Sequence, residues 1–217
     1  KVERLKKASE GETDISDFLP AADQDIDTLF LEFKKVSDTI ENNHLHKLMQ
    51  LICEDPYITV ELKKAPGGKL WHHTYVGGLL EHTLKVADIC EEVANSYELV
   101  NRDLLITGAL LHDLGKIKGY SGKGFFDYTD EGRLVGHIIS GIELVDLKLG
   151  RIEDFPAELA LQLKHLIISH HGELEFASPV VPMTIEAIIL HHADEMDAQV
   201  NAFSRIIKTQ KVKGKRW

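Results

Sequence analysis

Seven histidine and aspartate side chains with the chemistry of metal ligands constrain the fold of this chain more than any other feature. They are, in chain order, His82, the His112–Asp113 doublet, His137, the His170–His171 pair and Asp194. Their spacing means that no single helix or strand contributes more than two of them. Only a fold that brings several helices together can use them jointly. A histidine–aspartate doublet flanked by distant His and Asp residues therefore predicts a dinuclear metal centre on a helical scaffold.

Length and composition indicate one ordinary globular domain. The chain has 217 residues, 43% of them hydrophobic and 28% charged, which is enough for one sizeable core. No apolar run is long enough to cross a bilayer and no secretory leader opens the chain, so we expect a cytoplasmic protein without a membrane partner. The first residue, Lys1, suggests a piece of something longer. Cys53 and Cys90 are expected to be buried, reduced thiols.

The charge balance limits the nucleic-acid partners of the chain. A net charge of −10 disfavours nonspecific binding of duplex nucleic acid by the whole surface. It does not disfavour a phosphate-bearing substrate, because two bound divalent ions would dominate the local field. Residues 209–217 form a basic tail that is expected to be solvated, with a weak contact to a nucleic-acid backbone as the alternative.

Apolar residues recur at helical spacing along most of the chain and predict an all-α fold. Residues 1–24 are polar and acidic and are expected to form a linker or N-terminal extension, and residues 25–208 form the main domain. Asp25 and Asn101 are expected to cap helices. Residues 118–132 predict a long loop, either without regular structure or with a small hairpin in it. The predicted helices cover residues 25–40, 44–53, a stretch after Gly77–Gly78 that ends near residue 97, 103–114, 136–149, 156–171 and 182–208.

The doublet sits where a buried charge needs a partner. An almost wholly apolar helix precedes His112 and Asp113, and Asp194 also follows an apolar stretch. A buried carboxylate is costly unless it is paired or metal-bound. Adjacent helical residues point about 100° apart, so Asp113 can bridge two ions while His112 binds only one of them. Imidazole and carboxylate ligands together suit Mn, Fe, Zn, Ni or Co better than Ca.

The order of these residues resembles the H…HD…D signature of the HD-domain metal-dependent phosphohydrolases. His137 and the His170–His171 pair resemble the extra ligands of the two-metal branch of that family. The surrounding sequence is similar to that of the YhaM-type 3′-5′ exoribonucleases over about residues 12–203. The matching segments are His72-His73-Thr74-Tyr75, Gly77-Gly78-Leu79-Leu80-Glu81-His82-Thr83, Asn101-Arg102-Asp103-Leu104-Leu105, His112-Asp113-Leu114-Gly115-Lys116, Tyr128-Thr129-Asp130-Glu131-Gly132, Gly136-His137-Ile138, Ser169-His170-His171-Gly172 and Ser178-Pro179.

The resemblance implies an HD-domain, phosphodiesterase-like helical bundle with a dinuclear metal site. One ion is assigned to His82, His112, Asp113 and Asp194, and the second to Asp113, His137, His170 and His171. Asp113 as the bridge and Lys116 are the expected catalytic residues; Lys116 would orient the attacking hydroxide or hold a phosphate oxygen, with a helix C-terminal lysine as the alternative. Residues considered for substrate binding or for a second layer around the metals are His73, Arg102, His165 and Ser178, with Glu81 and Asp197 as second-layer acids.

The function implied by the resemblance is a metal-dependent 3′-5′ exonuclease. It would release nucleoside monophosphates from single-stranded RNA or DNA, with two transition-metal ions, Mn²⁺ or else Fe, Ni, Co or Zn. The family also implies an OB-fold domain N-terminal to this chain as a partner in a longer protein. The alternatives are a nucleotide or cyclic-dinucleotide phosphohydrolase and a noncatalytic HD regulatory module. The cyclic-dinucleotide branch carries a Gly-Tyr-Pro element after the His pair, whereas here Gly172-Glu173-Leu174 follows.

Overall fold

The computed structural model describes residues 19–69, 73–121, 125–176 and 178–212, and it confirms the all-α prediction. One short antiparallel hairpin, β1 (Tyr120–Ser121) with β2 (Asp127–Tyr128), pairs Tyr120 with Tyr128. Residues 1–18 of the predicted extension and residues 213–217 of the predicted tail lie outside the described residues. The helices are α1 (Ile26–Asp38), α2 (Asn43–Cys53), α3 (Pro56–Lys64), α4 (Gly78–Ala94), α5 (Arg102–Leu111), α6 (Lys116–Gly119), α7 (Asp130–Leu134), α8 (His137–Leu149), α9 (Ala157–Ser169) and α10 (Ile185–Val212).

Local capping explains where several helices begin. The Asp25 carboxylate accepts a hydrogen bond from the backbone N–H of Thr28 at 2.9 Å, and the Asn101 side chain accepts one from Leu104 at 3.1 Å. Both predicted caps are therefore confirmed, and each satisfies an N–H group that has no partner within its helix.

Helix α3 is absent from the helices that the sequence predicts. Pro56 marks the end of the preceding helix in the sequence pattern, but it also stands at the first position of a new one. Proline is well suited to that position because its missing N–H would have no partner there and its φ angle is already helical. The Asp55 side chain completes the start by accepting from the N–H groups of Tyr57 and Ile58.

The core is organised around α5, which is buried from Leu104 to Leu111. Helices α4, α9 and α10 pack against it, and α4 also packs against α1 and α10. The C-terminal ends of α5 and α9 meet the first halves of α4 and α10. Within the described ranges, no helix combines the length and the apolar character that a membrane span requires.

Candidate metal centre

All seven predicted ligands come together at the junction of α4, α5, α8, α9 and α10. His82 lies in α4, the doublet closes α5, His137 opens α8, the His pair follows α9, and Asp194 lies in α10. The side chains of His82, His112 and His170 are fully buried and that of Asp113 is 2% exposed, whereas those of His137 and Asp194 keep 23% and 17% exposure. The cluster is thus buried at its base and open on one side.

The Asp113 carboxylate divides the cluster into two halves. Its Oδ2 atom lies 3.5 Å from Nε2 of His82 and 3.3 Å from Nε2 of His112. Its Oδ1 atom lies 3.4 Å from Nε2 of His137 and 3.7 Å from Nε2 of His170. Each oxygen therefore faces its own pair of imidazoles, which is the arrangement a bridging carboxylate needs.

The half that contains Oδ2 is completed by Asp194. The Oδ1 atom of Asp194 lies 3.1 Å from Nε2 of His82 and 3.9 Å from Nε2 of His112. The two imidazole Nε2 atoms are only 3.3 Å apart. The Nδ1–H of His112 donates to the Ala109 carbonyl at 2.8 Å, so its Nε2 carries a lone pair directed at His82. A cation or a proton between these nitrogens is required to make that approach favourable.

The half that contains Oδ1 holds the remaining histidines. One ring nitrogen each of His137, His170 and His171 lies within 4.8 Å of the others. Nδ1 of His170 donates to the Ile167 carbonyl at 2.6 Å, so its Nε2 also presents a lone pair to the cluster. Among the described residues, Asp113 Oδ1, His137 Nε2 and His170 Nε2 are buried polar atoms without a hydrogen-bond partner. Asp113 Oδ1 lies within 3.7 Å of both nitrogens, and buried polar atoms grouped in this way without partners fit a bound cation.

The ionisation of Asp113, His137 and His170 suits metal binding. Burial opposes the charge on Asp113, but Lys116, His112 and His82 outweigh it and hold the pKa of the carboxyl well below its ordinary range. Burial lowers the pKa of His137 to about 4 and lowers that of His170 well below its usual value. At neutral pH the Asp113 carboxylate is therefore charged and both imidazoles are neutral, the forms that bind a metal.

The Lys116 side chain contacts Asp113 directly. Its buried ammonium donates to Asp113 Oδ2 at 2.5 Å and to the Gly67 carbonyl at 2.6 Å. Two of its three donors are used in this way. These two hydrogen bonds hold the Asp113 carboxylate in place.

A second layer of polar residues lies behind His82. Its Nδ1 atom is 2.6 Å from Asp197 Oδ2, and the same oxygen is 2.8 Å from Nε2 of His73. Tyr75 extends this series of hydrogen bonds. Its hydroxyl lies 2.8 Å from His73 Nδ1 and donates to Glu81 at 2.8 Å. From the sequence, His73 is a candidate either for substrate binding or for a second layer around the metals. The residue is 1% exposed and lies in the layer behind His82.

Tyr75 and Asn201 belong to this layer but do not follow from the sequence pattern. The Asn201 side chain accepts from the backbone N–H of His73 at 3.1 Å, and the backbone of His73 adopts a positive φ of 46°. One signal did point to the layer: Asp197 lies three residues after Asp194 and so on a neighbouring face of the same helix.

The other three candidate substrate residues lie outside the cluster in hydrogen bonds of their own. Nε of Arg102 donates to both carboxylate oxygens of Glu91 at 3.0 Å. The ring of His165 accepts from the backbone of Met183, and the buried hydroxyl of Ser178 donates to the carbonyls of Ile168 and Val180. These contacts tie neighbouring segments of the fold together.

Known proteins match this chain across the cluster. A family model described as HD domain matches residues 79–199, a stretch that contains all seven predicted ligands. The 3′-5′ exoribonuclease YhaM of Bacillus subtilis (strain 168) is 33% identical over 213 residues, which are 97% of this chain and 67% of that protein. No solved structure gives a significant match.

Proposed function

Because the chain belongs to the HD-domain family of metal-dependent phosphoester hydrolases, we propose that it is a 3′-5′ exonuclease of single-stranded RNA or DNA. The product would be nucleoside monophosphates. The activity named for the relative of 33% identity supports this choice of substrate. An OB-fold domain preceding this chain in a longer protein would be the partner that grips the strand.

The observation that carries the proposal is the position of Asp113 between two sets of imidazoles. Its two oxygens face different nitrogens at 3.3–3.7 Å. His82, His112, Asp113 and Asp194 would hold one ion, and Asp113, His137, His170 and His171 the other. The ligand set of imidazoles and carboxylates fits Mn²⁺, with Fe, Ni, Co and Zn as alternatives.

Two bound divalent ions supply Lewis-acid stabilisation of the charge that develops on a phosphodiester during in-line displacement. The residues of the chain position that chemistry. Nδ1–H groups of His112 and His170 are held by backbone carbonyls, so both rings are fixed before substrate arrives. Lys116 fixes Asp113 and keeps it ionised. The exposed edges of His137 and Asp194 face the open side, where the phosphodiester would enter.

The test is an incubation of the purified protein and Mn²⁺ with a 5′-labelled RNA oligomer, with mononucleotides and with a cyclic dinucleotide. Stepwise shortening of the oligomer from its 3′ end, with release of nucleoside monophosphates, is the expected result. Turnover of mononucleotides or the cyclic dinucleotide without shortening of the oligomer would refute the nuclease proposal.

A pair of aspartate variants ties the activity to the cluster. Asp113→Ala removes the proposed bridge and is expected to abolish hydrolysis. Asp88→Ala removes an exposed carboxylate of α4 and is expected to leave hydrolysis unchanged. Full activity of Asp113→Ala would show that the bridge is assigned to the wrong residue.

A further inference from the structure

A groove of about 660 Å³ begins at the candidate metal centre and follows α10 from His191 to Phe203. At one end it is lined by His170, His171 and Asp194. Ala198, Ala202 and Phe203 line it further along the helix. Given a rise of about 1.5 Å per residue, Ala198 lies roughly 6 Å and Phe203 roughly 13 Å along the axis from Asp194. The groove therefore leads directly away from the place where a phosphate would be held.

The lining of the groove suits a flat, apolar ligand. Two alanines on one face of α10 leave space beside the helix, and the Phe203 ring is 65% exposed beside them. An aromatic side chain this exposed gives up few existing contacts when it packs against another ring. Stacking between aromatic groups and nucleobases tolerates any base. Gln199 also lines the groove and offers an amide to the polar edge of a base.

The charges around the groove oppose a second phosphate in it. Glu173 and Glu195 are exposed and line it together with Asp194, and the described lining contains no lysine or arginine. Anionic groups are repelled from such a surface, whereas a neutral base is not. The ligand chemistry that fits is a phosphodiester at the metal end followed by an uncharged planar group.

We infer that this groove is a subsite for one nucleobase adjacent to the scissile phosphate, with Phe203 as the stacking residue. The inference rests on the proposed nuclease function and specifies how that site holds its substrate. The base belongs either to the 3′-terminal nucleotide or to the one before it. Because the recognition is by stacking, all four bases are accepted.

The experiment compares kcat/KM for oligoribonucleotides of one sequence that carry an abasic residue at the 3′ end, at the penultimate position or nowhere. Wild-type protein is expected to lose at least about fivefold in kcat/KM at one of these two positions, the lower end of the stacking contribution of a base. The position that shows the loss identifies the nucleotide in the groove.

Phe203→Ala should lower kcat/KM for the intact oligomer to the level of the abasic one, and the abasic residue should then cause no further loss. Val200→Ala is the matched control, because Val200 is 59% exposed on the same helix but does not line the groove; it should behave as wild type. Ala202→Leu fills the groove and should slow the intact oligomer more than the abasic one.

Four outcomes would overturn the inference. The first is that wild-type protein hydrolyses intact and abasic oligomers at equal rates. The second is that the losses caused by Phe203→Ala and by the abasic residue multiply. Either result would refute the subsite while leaving the nuclease function in place. A change of oligomeric state in sedimentation of Phe203→Ala, with base dependence intact, would assign the groove to a second copy of the chain. Hydrolysis of none of the oligomers would remove the proposed function and the subsite together.

Discussion

Nδ1 of His82 lies 2.6 Å from Oδ2 of Asp197, and this contact sets the direction in which His82 presents its other nitrogen. With Nδ1–H donated to the carboxylate, Nε2 faces Asp113 and Asp194. Asp197 is itself held by His73, whose Nε2 lies 2.8 Å from the same oxygen. The carboxylate therefore fixes the tautomer and the orientation of a proposed metal ligand.

Asp197→Asn is expected to weaken metal binding. The amide keeps the shape of the side chain but loses the charge that orients His82, and loss of such an outer partner typically costs about 10–100-fold in metal affinity. Calorimetric titration with Mn²⁺ measures the change. Asp88→Asn, an exposed change on α4, is the control and should bind as wild type does. Unaltered affinity of the Asp197 variant would show that His82 is oriented by other contacts.

Metal binding is expected to release about one proton at pH 7. Burial alone would lower the pKa of His82, but its hydrogen bonds to Asp113, Asp194 and Asp197 raise it well above 6.5 in the metal-free protein. His82 is then protonated at pH 7 and must lose that proton to present Nε2. His137, with a pKa of about 4, is already neutral and releases none.

Titration calorimetry in buffers of different ionisation enthalpy counts the released protons. Since the competing proton is held more tightly at lower pH, affinity should fall about tenfold for each pH unit below the pKa of His82. A binding enthalpy that is the same in every buffer would contradict the protonated state assigned to His82.

His137→Ala is expected to remove the second ion and leave the first. Nε2 of His137 faces Asp113 Oδ1, whereas the ligands around Oδ2 are untouched. Elemental analysis should find about one tightly bound ion per chain in place of two, and hydrolysis should fall at least about a hundredfold, the scale of losing one electrostatic stabiliser. His46→Ala is the control, because α2 carries none of the seven predicted ligands; this variant should keep both ions. Two ions in the His137 variant would contradict the assignment.

Asp55→Asn tests an ion pair that holds α3 to α8. Oδ2 of Asp55 accepts from the ammonium of Lys148 at 2.5 Å, and Lys148 is only 5% exposed. Asparagine retains a capping oxygen for α3 but leaves the buried ammonium without its carboxylate. The free energy of unfolding in urea at pH 7 should fall by about 1–3 kcal/mol.

The same variant has a defined pH dependence. The hydrogen bond from Lys148 lowers the pKa of Asp55 in the folded protein. Its stabilisation is therefore complete above the unfolded pKa of about 4 and is lost as the pH falls through the folded pKa. The difference between wild type and Asp55→Asn should shrink below that range. Asp27→Asn breaks the exposed pair with Lys63 and should cost less than about 1 kcal/mol at any pH; an equal cost for both variants would contradict the role of burial.

The sequence was sufficient to predict that these seven residues come together. The His112–Asp113 doublet and Asp194 follow apolar helical stretches, where a buried charge needs a partner, and the order of all seven resembles that of a known family. Helix caps such as Asp25 were predictable on the same local grounds. The layer behind His82 depends on the approach of residues far apart in sequence: His73 and Asp197 are 124 residues apart. Neither periodicity nor spacing reports such a contact.

Some residues are compatible with two structural roles, and only the packing of the folded chain decides between them. Pro56 ends one helix pattern and begins α3, and both uses satisfy its backbone. The guanidinium of Arg102 could bind a phosphate, but it forms an ion pair with Glu91 instead. The groove along α10 is likewise invisible in sequence, since small residues at helical spacing also occur where helices pack closely.

A crystal grown with Mn²⁺ tests the central claim, that Asp113 joins two metal sites in one centre. Anomalous difference density should show two ions about 3.5–4 Å apart, the usual separation in two-metal sites, with one carboxylate oxygen of Asp113 on each. The ion on the Oδ2 side should also contact His82, His112 and Asp194, and the other should contact His137, His170 and His171. A single ion, or a pair of ions that Asp113 does not bridge, would contradict this account.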